Sequence, residues 1–200
     1  MNTTKISIKI YEPLLSAFDS QLDRVFFKRD AFLNNILKTE IKKLDKEMEG
    51  KRLSREARRY ISQELRRLGT KNINIVVEKD VADFLNEIID RHNMVRDAFM
   101  NRLFLFLRSS DKLLSYLDIP PTIDDPDLRH CESMPTSPLY AIESVISDPF
   151  FYIENAVRKQ YNTGIYLLEL PPERIGFSCF LDDSQVPGTK EFNSTYDSFE

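Results

Sequence analysis

The side chains best placed for chemistry lie near the start of the chain, in a stretch that alternates strictly: Lys5-Ile6-Ser7-Ile8-Lys9-Ile10. A second such stretch, Asn72-Ile73-Asn74-Ile75-Val76-Val77, follows 67 residues later. One side of each carries hydrogen-bonding groups: Lys5, Ser7 and Lys9 in the first, Asn72 and Asn74 in the second. Ammonium, hydroxyl and amide groups spaced two apart donate and accept hydrogen bonds and attract negative charge. Groups that make or break bonds are sparse. His92, His130, Cys131 and Cys179 show no CxxC or HxxxH spacing, which argues against a metal site. The chain has only 5 glycines and no Gly-rich phosphate loop or catalytic triad order. The expectation is a non-enzyme with no catalytic residue, no metal and no cofactor.

The elements that must hold these side chains recur as well. Arg29-Asp30-Ala31-Phe32 returns as Arg96-Asp97-Ala98-Phe99, and from Ile6 to Leu37 the 67-residue shift gives 9 identities in 32 positions without a gap. A repeat fixes the building block. Each copy opens with period two and β-branched residues, which predicts a half-buried strand. The period then changes to that of a helix, with stripes at Leu14, Leu15, Phe18, Leu22 and Val25, and at Val81, Phe84, Leu85, Ile88 and Ile89. A second helix follows, carrying Phe32, Leu33, Ile36, Leu37 and Ile41 in one copy and Phe99, Met100, Leu103 and Leu107 in the other. A lone strand with two helices has unpaired edges and a thin core, so the two strands are expected to pair as an antiparallel ribbon.

Strand, helix and helix at this spacing resemble the ribbon-helix-helix DNA-binding proteins. The interval from Ile10 to Phe32 is 22 residues, as is that from Val77 to Phe99, and an Arg-x-x-apolar-apolar segment opens each second helix. The resemblance covers a first unit at 4–46 and a second at 71–117, joined by a connector helix within 51–69, so that 1–118 forms a tandem, intrachain pseudo-dimer. It implies that Lys5, Ser7, Lys9, Asn72 and Asn74 read base edges in the major groove, and that Lys28, Arg29 and Arg96 bind phosphate beside the second-helix N-termini. Arg55, Arg58 and Arg59 on the connector helix are candidates for additional phosphate contacts. Lys28 and Val95 stand where the family carries a Ser or Thr cap, and Phe26 and Asn93 where its turn carries Gly. Phe tolerates a left-handed backbone poorly, so at least the first turn is expected to depart from the family's.

Charge is graded along the chain. Residues 1–70 hold 16 Lys/Arg against 10 Asp/Glu, whereas 119–200 hold 5 against 14. A basic front suits a polyanion and an acidic rear does not. Pro, Asp, Ser and Thr dominate 119–137, which predicts a linker. Beyond it, 138–181 is expected to form a small α+β region, with Ile165–Leu170 and Ile175–Leu181 as a strand pair, and 182–200 a flexible acidic tail. Helix 98–107 is apolar nearly all round, so something is expected to pack on it: a second chain, through self-association, or the C-terminal region. No run of 18 apolar residues and no basic-then-apolar leader occur, so the expected location is cytoplasmic, away from the membrane. The fold class expected is mainly α with a short two-stranded antiparallel β-ribbon.

Two functions follow as expectations. The first is sequence-specific binding of double-stranded DNA as a transcriptional repressor. The second is an antitoxin whose acidic region at 138–200 binds and neutralises a partner protein.

Overall fold

The computed structural model describes residues 2–122 and 137–197. The chain is mainly helical, and the sheet among those residues is a two-stranded antiparallel ribbon of β1 (Thr3–Tyr11) and β2 (Thr70–Glu78). Ser7 lies opposite Asn74, its own counterpart in the repeat, while Ile6 faces Ile75 and Ile8 faces Ile73. Pairing is therefore symmetric about the Ser7·Asn74 rung. Alternation does the rest: Ile6, Ile8, Ile10, Ile75 and Val77 are buried, and Lys5, Ser7, Lys9, Asn72 and Asn74 are exposed.

Helix α1 (Glu12–Arg24) buries Leu14, Leu15, Phe18 and Leu22, and α4 (Lys79–Arg91) buries Val81, Ala82, Leu85, Ile88 and Ile89. Val25 falls past the end of α1 and is exposed rather than part of its stripe. The second helices are α2 (Arg29–Glu47) and α5 (Arg96–Arg108). Both connecting turns are left-handed, at Phe26 (φ 58°) and Asn93 (φ 54°), so Phe26 adopts the conformation that its side chain disfavours. The Phe26 side chain is 94% exposed, so the turn keeps its path with the phenyl ring in solvent. Between the copies, α3 (Arg55–Arg67) starts at Ser54, whose hydroxyl accepts from Ala57 N, and is followed by Gly69 at φ +57°.

The C-terminal region differs from expectation. After α6 (Asp111–Tyr116) come α7 (Pro138–Ser147), α8 (Phe151–Tyr161), a 3₁₀ turn at Pro172–Phe177, a second at Asp183–Gln185, and α9 (Lys190–Asp197). The expected strands at 165–170 and 175–181 are absent, so 138–181 is not α+β. The reason lies in the backbone groups. Arg102 donates to the carbonyls of Ile165 and Leu168, and Tyr166 N donates to Glu47, so no ladder partner is required. Tyr166, Leu168, Leu170, Phe177, Cys179 and Leu181 join the same core as the ribbon isoleucines. They cover α5, where every residue from Ala98 to Phe106 is buried. Self-association through 98–107 is thereby corrected, because this chain supplies the covering surface. The tail is corrected too: Asp182 and Gln185 form a capping box, and Val186 and Thr189 are buried. Most of the expected linker, 123–136 with His130 and Cys131, lies outside the described residues, as do 198–200.

Candidate nucleic-acid interface

Ribbon geometry gathers the five expected base-reading residues on one exposed face. Lys9 sits across from Asn72, Ser7 across from Asn74, and Lys5 across from half-buried Val76. Ser7 Oγ donates to Asn72 Oδ1 at 2.9 Å, tying the two strands together diagonally. At the end of the face, Glu78 is held by Lys38 at 2.7 Å and by Asn34 at 3.1 Å. Those hydrogen bonds keep its carboxyl below the usual carboxylate range, so the acid is already matched by a cation.

A two-stranded ribbon has two outer edges, and the second helices close both of them. Asp97 and Asn101 of α5 accept from Lys9 N at 3.2 Å and Tyr11 N at 2.7 Å, and Asn101 Nδ2 donates to Lys9 O at 2.7 Å. Asp30 and Asn34 of α2 accept from Val76 N at 3.2 Å and Glu78 N at 2.8 Å. Donor and acceptor are counterparts in each pair, so each copy's second helix closes the other copy's strand. Sequence reasoning assigned Asp30 and Asp97 only to the helix ends. The available signal was that Asp30/Asp97 and Asn34/Asn101 are polar identities of the repeat.

Neither α2 nor α5 has a side-chain cap, with Lys28 and Val95 in the N-cap positions. A helix start whose amides are not met by a capping side chain favours an anion. Lys28 is exposed there. Arg29 is drawn back to Asp19, at 3.3 Å, and does not point freely outward. Arg96 donates to Ser7 O at 2.8 Å, which places it against the ribbon edge. Arg58 donates to Asn93 Oδ1 at 2.8 Å and lines, with Arg96, Ser62 and Asn86, a cleft of about 290 Å³ beside the start of α5. The structure thus brings Arg58 and Arg96 together. Arg55 and Arg59 are exposed on α3 apart from that cleft.

Reasoning from sequence also missed a buried polar cluster between α2, α5 and the C-terminal region. Glu40, Lys43 and Glu47 project from α2, and Arg102 from α5, toward Tyr166 and Glu154. The one visible trace is Glu40 on the helix's apolar stripe, four residues after Ile36 and four before Leu44. His92 bridges Lys51 O (2.8 Å) and Asp45 Oδ1 (3.0 Å) and braces the start of the connector. Among the described residues no group of three His, Cys, Asp or Glu is arranged to hold a metal, and no helix is long and apolar enough to cross a membrane. A scan against protein-family models finds no match to this chain, and neither curated proteins nor solved structures yield one.

Proposed function

We propose that the protein binds double-stranded DNA sequence-specifically, as a transcriptional repressor built from two ribbon-helix-helix units paired within one chain. The observation that carries this reading is the ribbon's exposed face of Lys5, Ser7, Lys9, Asn72 and Asn74, backed by a buried aliphatic face and flanked by two second helices without side-chain caps. The major groove admits such a ribbon. Lys5 and Lys9 suit guanine O6 and N7. The Ser7 hydroxyl occupies Asn72 Oδ1, which leaves the Asn72 amide N–H groups for a base acceptor. Lys28 at one helix start, and Arg96 with Arg58 at the other, would meet flanking phosphates. The reciprocal closing of each strand by the other copy's helix supports the pseudo-dimer. Val76 stands where the first copy has Lys9, so the two halves are chemically unequal and the operator need not be a palindrome. Repression would follow from occlusion.

A second reading, an antitoxin that binds a partner protein through the C-terminal region, rests on a different observation. Leu139 and Ile142 on α7 and Tyr152 on α8 are exposed apolar side chains.

The test is selection from random duplex DNA with the full chain, followed by a salt titration of the enriched site. An enriched asymmetric motif is expected. Its affinity should fall with log salt at a slope of about −0.9 per phosphate neutralised. Absence of any enriched motif at low salt would overturn the reading.

A further inference from the structure

Segment 164–168 crosses from one second helix to the other. On the α2 side, Tyr166 OH donates to Glu40 Oε2 at 2.5 Å, and Tyr166 N donates to Glu47 Oε2 at 2.9 Å. Gly164 packs so closely on the Glu47 carboxylate that a Cβ there would lie 1.9 Å from Oε1. On the α5 side, Arg102 Nε donates to Ile165 O at 2.6 Å and Nη2 to Leu168 O, and the Phe99 and Tyr166 rings lie 5.7 Å apart. Glu40, Tyr166 and Arg102 are buried. The repeat counterpart of Arg102 is Asn35, and that of Glu40 is Leu107, so this seam belongs to neither unit's shared pattern.

We propose that 164–168 is a clasp that fixes α2 against α5, with Tyr166 as its positioning residue, and that closing it sets the two helix starts and the ribbon for DNA. The coupling to DNA rests on the DNA-binding reading; the clasp does not. Helices α2 and α5 carry both the side chains that close the ribbon edges and the uncapped starts beside Lys28 and Arg96. A change in their separation therefore reaches the whole interface.

The clasp is built to respond to pH. The groups facing Glu40 are Tyr166, Lys43 on α2 and Glu154 on α8; Asp148 before α8 pairs with Lys43, Glu47 on α2 meets Tyr166 N, and Arg102 and buried Cys179 lie beyond Glu47. Burial pushes the Glu40 carboxyl up to about 7, against the opposing effects of the Tyr166 hydrogen bond and the Lys43 charge. Burial raises Glu47 as well. Burial acts to lower Lys43, but hydrogen bonds and charge from Glu154, Glu40 and Asp148 raise it overall, so it stays a cation. A carboxyl that titrates higher in the closed clasp than free holds its proton more tightly when closed. The clasp is then firmest below the ordinary Glu value of 4.5 and loosens as pH rises toward about 7. For those two values, closure weakens about tenfold between pH 6 and pH 8.

The experiment measures hydrogen exchange of the Tyr166 amide in the full chain at pH 6 and pH 8, corrected for intrinsic exchange, beside affinity for the selected duplex. Expected is a roughly tenfold loss of protection at pH 8 with a parallel loss of affinity, both abolished in Glu40→Gln, whose neutral side chain mimics the protonated acid. Tyr166→Phe removes the hydrogen bond that favours the ionised carboxylate and should carry the loss to higher pH. Protection that is flat with pH in the native chain, or a full drop retained in Glu40→Gln, overturns the clasp. Loss of protection without loss of affinity overturns the coupling. Failure of the native chain to bind any duplex overturns the DNA reading, and the exchange data still decide the clasp.

Discussion

Asn101 and Asn34 occupy the same place in the repeat, yet replacing them with Ala should cost very different amounts. Asn101 is fully buried. It accepts from Tyr11 N and donates to Lys9 O and Asp97 O, each at 2.7 Å. Alanine there leaves a part-buried strand amide and strand carbonyl without the partners that the buried Asn101 side chain supplies, at about 1–3 kcal/mol for each orphaned group. The expected loss is about 3 kcal/mol. Asn34 is half-buried and accepts from Glu78 N at 2.8 Å, and its second bond goes to a Glu78 oxygen that Lys38 also holds. Water can replace it, so Asn34→Ala should cost about 1 kcal/mol. Against a typical total of about 5–15 kcal/mol, the difference of about 2 is large. Urea unfolding followed by circular dichroism, with the slope unchanged, separates the two, since 3 kcal/mol moves a midpoint by about 1.5 M. Equal losses in the two variants would refute the claim that α5 closes β1 by buried hydrogen bonds.

Lys5→Ala combined with Lys9→Ala should leave thermal stability unchanged, because both side chains are exposed, while weakening specific duplex binding and reducing its salt slope, read by fluorescence anisotropy. Phe26→Gly should stabilise the chain by about 1 kcal/mol in chemical denaturation, since Phe26 holds φ 58° with its ring in solvent. Asn93→Gly should do the reverse despite the same left-handed turn, because Asn93 Nδ2 donates to Leu53 O and Oδ1 accepts from Arg58. Gly176→Ala should cost about 2 kcal/mol in the same assay, because the added Cβ would meet Leu65 N of α3 at 2.7 Å, a backbone atom that cannot step aside cheaply.

The ribbon and its exposed face were legible because period two is a local property. Alternation of Ile with Lys, Ser and Asn assigns a buried and an open side before any partner is known. The repeat went further, since equal intervals from strand to second helix in both copies fit a pairing centred on Ser7 and Asn74. Charge alone did not show which cations are free. Arg29 and Arg96 occupy matching positions, yet one is held by Asp19 and the other by the carbonyl of Ser7, a difference made by neighbours far apart in sequence.

The Pro-led helix starts at Ser137-Pro138 and Asp148-Pro149 are local signals, but the path of residues 165–181 was decided by the tertiary structure. Residues 165–170 carry a strand-like composition, but Arg102 and Glu47 take up their backbone groups, so they become a crossing segment. The apolar helix 96–108 announced that something must cover it, and nothing local distinguishes a second chain from this chain's own residues. By itself, then, the sequence determined strand and helix periods, the duplicated unit and the ribbon's polar face, all set by neighbours within a few positions. Only the three-dimensional packing decided where α5 finds its cover and which polar groups are buried, because those outcomes depend on pairs of residues far apart in sequence, such as Glu40 and Tyr166, separated by 126 positions.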